Sequence, residues 1–171
     1  MATTYTLIDS EVLSSSTTSV AFTSISADFT DLVVRWSVRT DYGNTRTGFR
    51  IAVNSITTNY TETYLIGLPG FAGSGRYSGN AYFIGEYIDG TNATSNTFGS
   101  GQIYIPSYTV SQSKPMSMFS AAEGNTSTDT GMYAKALLLA QNAAISSLTM
   151  TANTGNFVSG TSFYLYGISN A

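Results

Sequence analysis

Three acidic residues near the predicted loops are the first candidates for chemistry in this sequence. They are Glu86, Asp89 and Glu123. A glycosidase needs two carboxyl groups placed across one glycosidic bond, and nothing in the spacing of these residues brings any two of them together. We therefore interpret them as solvated or loop-capping carboxylates, and the sequence predicts no enzyme.

A calcium site is the second chemistry that the sequence allows. Asp89, Asn92 and Asn96 lie within one polar segment, and their side-chain oxygens are ligands that calcium accepts. The pattern of an EF-hand loop is missing, however, and Asn is frequent in turns for conformational reasons of its own. The sequence therefore predicts neither a bound metal nor any other cofactor.

The composition removes several further classes of function. The 171 residues include no His and no Cys, so the chain lacks the commonest general base, the commonest metal ligand and any thiol nucleophile. Its seven Lys and Arg are scattered and the net charge is −3, which argues against a nucleic-acid partner. No apolar stretch reaches the roughly 20 residues of a membrane helix, and the first residues show no secretory pattern. We therefore expect no nucleic acid and no membrane among the partners.

The segment Asp31–Thr40 is the clearest structural element. Its apolar residues recur at every second position, which is typical of a β-strand with one apolar face. The other face carries Arg35 and Arg39 and is expected to meet water or a polar partner. We predict that this strand lies at the centre of an antiparallel sheet. Its predicted core residues are Leu32, Val34, Trp36 and Val38.

Similar alternation predicts the rest of the core. A strand with Phe49, Ile51 and Val53 on one face is expected to be the hairpin partner of the central strand, and a closing strand buries Phe163 and Leu165. The segment Met132–Gln141 has helical propensity, but its neighbours all read as strands, so a strand is expected there. Five glycines and one proline between residues 67 and 80 predict a loop.

These patterns predict an all-β fold. Nine or ten short strands separated by turns fit a single-domain antiparallel β-sandwich over residues 1–171, with a jelly-roll-like arrangement at this strand number. An immunoglobulin-like sandwich is the alternative, although its Cys…Trp…Cys pattern is absent. No shift in composition divides the chain, so one domain is expected.

Three segments of the chain resemble short virion structural proteins of tailed bacteriophages. They are Tyr5–Asp41, Phe98–Tyr108, which looks like the central strand of those proteins, and Gly155–Ile168, which is similar to their C-terminal strand. The resemblance covers about a third of the chain. It implies a jelly-roll-like domain that forms part of a virus particle and performs no catalysis.

A chain of this length has room for one domain and no long fibre shaft, which favours a capsid decoration (cement) protein. Such a protein would bridge and stabilise capsid subunits in the virion, with the major capsid protein or other virion proteins as partners. A homotrimer is expected, because three-fold positions recur on icosahedral shells. The residues expected to make contacts are Tyr5, Leu7, Phe71 and Tyr77.

The alternative is a tail- or fibre-associated module that binds a receptor glycan. The chain contains twelve tyrosines and nine phenylalanines, and aromatic faces on a β-sandwich can stack on sugar rings. Cross-strand packing is the commoner use of such residues. The candidates for glycan stacking are Tyr77, Tyr82, Tyr104 and Tyr108.

Overall fold

The structure of the protein is a computed structural model that describes residues 4–125 and 130–169. Its regular structure consists of β-strands in two antiparallel sheets, which confirms the predicted all-β antiparallel sandwich. Within the described residues, no helix is long and apolar enough to cross a membrane. The single-domain organisation of residues 1–171 stays a prediction.

The described part of the chain contains twelve strands. In chain order they are β1 (Tyr5–Val12), β2 (Ser19–Phe22), β3 (Asp31–Val38), β4 (Arg46–Val53), β5 (Tyr60–Leu68), β6 (Phe71–Asn80), β7 (Phe83–Asp89), β8 (Gly99–Ile105), β9 (Lys114–Ala122), β10 (Gly131–Leu139), β11 (Leu148–Ala152) and β12 (Ser162–Ile168).

The two sheets differ in width. The larger sheet has eight strands in the order β1-β12-β3-β8-β9-β10-β5-β6, and the smaller sheet has four in the order β2-β11-β4-β7. Strand β7 of the smaller sheet lies over β9 and β10, so it is the strand that reaches farthest across the larger sheet. We call β9, β10, β5 and β6 the wing. It extends the larger sheet past β8, and its buried residues Tyr60, Met118 and Leu137 belong to the same core as Trp36.

The core lies between the two sheets. All nine residues predicted to form it are buried, with no more than 3% of any side chain exposed. The Trp36 ring meets the Phe49 ring edge to face with centroids 5.2 Å apart, and Phe49 meets Phe163 in the same way at 5.7 Å. A Cβ atom on Gly101 would lie 2.5 Å from the Trp36 ring, so only glycine leaves room for the indole. These contacts join β3 and β12 of one sheet to β4 of the other.

The predicted pairing of β4 with β3 is wrong. Strand β3 lies between β12 and β8, as expected of a strand inside the sheet, whereas β4 lies between β11 and β7 in the opposite sheet. Both strands bury one apolar face, and such faces pack across a sandwich as readily as they align side by side. Alternation alone therefore cannot tell a hairpin from a pair that crosses between sheets.

The predicted loop at residues 67–80 is also wrong. Leu68 and Phe71 are paired across a two-residue turn of Pro69 and Gly70, and Gly70 has the positive φ of +72° that suits the third position of a type II turn. Two of the glycines make room for aromatic rings, because a Cβ on Gly73 would collide with the ring of Phe71 and one on Gly75 with the ring of Tyr64. The segment therefore contains the end of β5, a tight turn and the strand β6.

The second face of the central strand is less polar than predicted. Arg35 is exposed, but Val33 is buried and Arg39, just after β3, is largely buried. The Arg39 guanidinium donates to the carbonyl oxygens of Thr94 and Thr97, each at 2.8 Å. Arg39 therefore holds the loop that follows β7 instead of meeting water. The strand expected from residue 132 onward is confirmed as β10.

A pair of substitutions tests the register of β3. Trp36→Asp places a charge inside the core and deletes a side chain whose truncation alone costs about 3–5 kcal/mol, so it is expected to abolish folding. Arg35→Ala removes an exposed side chain and is expected to be tolerated. Thermal unfolding followed by circular dichroism would measure both, and equal melting temperatures would rule out this register.

Candidate functional site

One row of exposed side chains crosses the larger sheet on the side turned away from the smaller sheet. Arg35 on β3 pairs with Gln102 on β8, which pairs with Phe119 on β9. Phe119 pairs with Ala134 on β10, and Ala134 pairs with Leu65 on β5. All five residues are exposed. We call the side of the larger sheet that carries this row the outer face.

The outer face is large enough for a specific protein contact. Eight strands spaced about 4.8 Å apart span roughly 35 Å, and about seven residues per strand at ~3.3 Å each span roughly 23 Å. The product is on the order of 800 Å², which is the area that one partner buries in an interface of standard size. A surface of this extent can therefore seat a second protein.

The strands β5, β9 and β10 give the outer face an apolar half. Small residues such as Ala134 and Ala136 lie between larger apolar side chains on these strands. The large apolar residues and their exposed fractions are Leu65 64%, Phe119 43%, Met132 50% and Leu138 38%. A contiguous group of exposed apolar residues at this density is typical of an interaction surface.

The strands β1, β12, β3 and β8 give the outer face a tyrosine half. The Arg35 guanidinium lies 5.8 Å from the ring centre of Tyr5 and 5.9 Å from that of Tyr166. The rings of Tyr164 and Tyr166 are stacked with centres 6.5 Å apart. An arginine held between aromatic rings has its guanidinium plane ordered, so this half offers a preorganised contact.

A buried carboxylate fixes one tyrosine of this half. Asp31 is almost fully buried, and its carboxylate accepts hydrogen bonds from the Tyr104 hydroxyl at 2.7 Å and from the Ser107 N–H at 2.8 Å. The hydrogen bond to Asp31 raises the pKa of the Tyr104 hydroxyl above its ordinary value. The hydrogen bond to Asp31 therefore holds the Tyr104 ring in one orientation.

The outer face carries few charges. Strand register places only three charged residues of the described strands on it, namely Asp31, Arg35 and Arg76. The lysines and Glu62 of the wing point to the opposite side of the sheet, where they are buried. A partner on the outer face would therefore not have to strip water from many charged groups.

The four predicted contact residues do not form one surface. Tyr5 and Leu7 are exposed on the outer face at its β1 edge. Phe71 and Tyr77 are also exposed, but they lie on the other side of the larger sheet, where Tyr77 pairs with the buried Glu62. The expected contact through a loop at residues 67–80 is therefore replaced by a strand at the opposite edge of the sheet.

The glycan-stacking candidates are also scattered. Tyr104 lies on the outer face, whereas Tyr82 lies outside it with the Arg50 guanidinium 4.8 Å from its ring centre. Tyr108 is wrong as a stacking candidate because its side chain is fully buried and its hydroxyl donates to the Ser26 carbonyl oxygen. Tyr77 is stacked on Tyr64, with ring centres 5.3 Å apart.

Sequence reasoning missed the apolar half of the outer face. Strand β10 places Leu137 and Leu139 inside the protein, yet Ala134, Ala136 and Leu138 are exposed on its other side. A strand that is apolar on both sides is typical of one covered on both sides. That signal, present in the segment 131–139, could have identified this part of the outer face.

The acidic candidate Glu86 belongs to a buried ion-pair cluster. Lys135 on β10 lies 3.4 Å from Glu62 on β5 and 3.7 Å from Glu86 on β7, and its ammonium group also donates to the Ile84 carbonyl oxygen at 2.9 Å. Burial raises the pKa of the Glu86 carboxyl above its ordinary value, and the positive charge of Lys135 opposes that shift. The expectation of a solvated Glu86 is wrong, because its carboxyl group is largely buried beside Lys135. The cluster ties the wing to β7.

The other acidic candidates differ in burial. Asp89 is buried at the end of β7, which raises the pKa of its carboxyl, whereas Asn92 and Asn96 of the suggested calcium site are exposed. Glu123 is exposed and accepts the Asn125 N–H at 3.0 Å, as a loop-capping carboxylate does. Over residues 4–125 and 130–169, no group of three or more His, Cys, Asp or Glu residues could hold a metal ion.

Comparison of the chain with protein-family models and with curated proteins gave no match. The resemblance to bacteriophage virion proteins therefore stays a prediction from the sequence. A functional proposal has to be supported mainly by the geometry of the outer face.

The buried cluster gives a stability prediction. Lys135→Met leaves Glu62 buried without its cation, so we expect it to lower the free energy of unfolding by about 3–5 kcal/mol. The double variant Glu62→Gln with Lys135→Met removes both charges of that pair and leaves only the partly exposed Glu86, so it is expected to regain at least half of that loss. Urea unfolding would measure both variants, and a double variant no more stable than Lys135→Met would show that the charge pairing is unimportant.

Proposed function

We propose that the protein is a virion structural protein of a tailed bacteriophage, namely a capsid decoration (cement) protein that bridges and stabilises capsid subunits without catalysis. The observation that carries this proposal is the outer face, a surface on the order of 800 Å² where the described strands place three charged residues, and where Leu65, Phe119 and Met132 are exposed. A decoration protein needs a surface of this kind, because it acts by being held against a shell.

The composition of the outer face supports a protein partner. Protein interfaces are enriched in Tyr, Phe, Met and Arg and depleted of Lys and Glu in their centres. Phe119 and Met132 lie in the apolar half, while Arg35 and Tyr166 lie in the tyrosine half. The apolar half therefore supplies residue types that are enriched in interfaces, and the tyrosine half supplies two of the types that most often carry binding energy.

The mechanism that we propose is physical. Each copy would bury its outer face against the major capsid protein or another virion protein. One copy would contact two neighbouring capsid subunits at once and so bridge them. A single contact of this size can be weak, but repetition over the shell multiplies it and raises resistance to internal pressure. A homotrimer is the proposed oligomer, since three-fold positions recur on icosahedral shells.

We also infer a jelly-roll-like topology, which supports the same proposal. Without the wing hairpin β5–β6 and the hairpin β9–β10, each sheet keeps four strands, in the orders β1-β12-β3-β8 and β2-β11-β4-β7. The chain then changes sheet at every step except between β4 and β7. This alternation is what two successive Greek keys produce in an eight-stranded jelly roll.

The alternative is a tail- or fibre-associated module that binds a receptor glycan. The tyrosine half favours it, because Tyr5, Tyr104 and Tyr166 present ring surfaces on one side of the sheet with Arg35 between two of them. Aromatic faces with nearby hydrogen-bonding groups can stack on sugar rings. Saccharide binding on a glycan array that Tyr104→Ala abolishes would favour this alternative over decoration.

Two matched substitutions test the decoration proposal. Ala134→Glu places a carboxylate in the middle of the outer face, and Ala21→Glu makes the same change on an exposed position of β2 in the smaller sheet. We expect Ala134→Glu to weaken binding to particles assembled without this protein by at least tenfold, because a desolvated charge has no partner there. Cosedimentation with the particles would measure binding.

The Ala21→Glu variant is expected to bind as the unmodified protein does. Circular dichroism should show that both variants keep the strand content and melting temperature of the parent. If Ala134→Glu is folded and binds particles normally, the outer face is not the binding surface. Equal loss in both variants would point to a general effect of added negative charge.

A further inference from the structure

We propose that strand β6 is a self-pairing edge, through which two copies of this chain join across a two-fold axis. The partner is a second copy of the same strand, running antiparallel. This inference goes beyond the proposed function and holds whether or not the protein belongs to a virion. A two-fold contact at this edge is compatible with a three-fold contact elsewhere on the molecule.

The edge formed by β6 is open. It is the outermost strand of the larger sheet and is paired with β5 on one side, and over the described residues no strand pairs with its other side. Its ten residues span roughly 33 Å at ~3.3 Å each. Unpaired backbone groups along a strand of this length are a template for another strand.

The sequence of β6 has few of the features that usually protect an edge. Proteins block exposed edges with charges, prolines, bulges or inward-pointing charged residues. Strand β6 contains no Pro and no Lys, Arg76 is its one charged residue, and its bulge at Gly79 lies next to its last residue. The opposite edge, β1, carries Asp9 and Glu11 and a bulge between Leu7 and Asp9. Of the two edges of the sheet, β6 is therefore the one that favours pairing.

The pattern of β6 is complementary to itself. An antiparallel pair centred on Gly75 keeps the same faces of both sheets on one side and places Ser74 opposite Arg76 of the other copy. The same register brings Tyr77 beside Gly73 of the other copy and the Phe71 ring that lies over that glycine. The dimer would therefore add an aromatic contact between Tyr77 and Phe71 on the side of the sheet opposite to Ser74 and Arg76.

The neighbours of the edge would add apolar contact on both sides of the sheet. Leu65 is exposed on the outer face of β5, and Phe71 and Tyr77 are exposed on the other side of β6. An edge roughly 33 Å long and ~10 Å thick offers less than half of a standard interface, so the backbone hydrogen bonds would supply most of the affinity. Pairing would join the two outer faces into one continuous surface of sixteen strands.

Charge changes at Ser74 test the pairing and its register. Ser74→Lys would face Arg76 of the other copy, and Ser74→Glu would give that arginine a carboxylate. Because the two-fold axis repeats each pair, we expect Ser74→Lys to weaken and Ser74→Glu to tighten dimerisation, each by about 2- to 30-fold. Ser10→Lys, at an exposed position on the opposite edge, is the matched control and should leave the dimer unchanged.

Sedimentation velocity of the full chain over a wide concentration range would measure the association. The expected result is a concentration-dependent dimer, or an even multiple of a larger unit, whose dissociation constant moves in opposite directions in the two Ser74 variants. A chain that stays monomeric at several hundred micromolar would overturn the proposal. An oligomer whose dissociation constant is unchanged in both Ser74 variants would also overturn it. So would an oligomer that Ser10→Lys weakens as much as Ser74→Lys does, since that result would point to head-to-tail pairing of β6 with β1.

Cysteine cross-linking gives an independent check of the register. The chain contains no Cys, so introduced thiols are its only ones. Opposed residues of an antiparallel pair have Cα atoms about 4.5–5.5 Å apart, within the range that a disulfide spans. Mixing Ser74→Cys with Arg76→Cys should give a cross-linked heterodimer much faster than mixing either with Ser10→Cys. Equal rates would exclude this register.

Discussion

The structure depends on burial of the Trp36 ring between the two sheets. The ring meets Phe49 of the opposite sheet edge to face, and Gly101 beside it leaves the space that the ring occupies. The indole N–H has no hydrogen-bond partner, which costs about 1–3 kcal/mol. Burying roughly 200 Å² of aromatic surface at about 25 cal/mol per Å² contributes about 5 kcal/mol, so burial outweighs that cost.

The burial of Trp36 also determines the functional surface. Side chains alternate along a strand, so fixing Trp36 inward turns Arg35 outward, and the pairing of β3 with β8 and β12 carries that choice across the sheet. A shift of the β3 register by one residue would turn its core side chains outward and its surface side chains inward. The outer face is thus a consequence of the same register that builds the core.

The wing combines apolar packing with a buried ion pair. Tyr60 of β5 meets Phe83 of β7 with ring centres 4.7 Å apart. The inner side chains of β5 and β10 also include Glu62 and Lys135, which pair with each other beside β7. A buried pair of this kind contributes little compared with apolar packing, but breaking it is costly, so it favours one arrangement of the wing against β7. The wing in turn provides the apolar half of the outer face and the open edge at β6.

Much of the fold could be predicted from alternation, and the failures have physical causes. The segment 31–40 is a strand as predicted, because its apolar residues alternate and it has a clear end. Strand β6 was missed because glycines weaken strand propensity, although here they lie under the aromatic rings of Tyr64 and Phe71. The predicted partner of β4 was wrong because alternation of apolar residues indicates which side of a strand is buried. It does not indicate which sheet covers that side.

The candidate site could be predicted only in part. Tyr5, Leu7 and Tyr104 lie on the outer face, but the residues that make it apolar, such as Leu65 and Phe119, come together only through strand pairings distant in sequence. Tyr108 illustrates the converse, since an aromatic residue just after a strand looks exposed until the loop that covers it is known. A surface that depends on the order of strands in a sheet is therefore the hardest feature to predict from a sequence.

The most direct test of the proposed role is the copy number of this protein in purified bacteriophage particles, measured by quantitative mass spectrometry against the major capsid protein. A decoration protein that repeats over the shell predicts on the order of hundreds of copies per particle. A handful of copies, in multiples of three or six, would contradict decoration and place the protein in the tail. Absence from the particles would contradict the virion assignment itself.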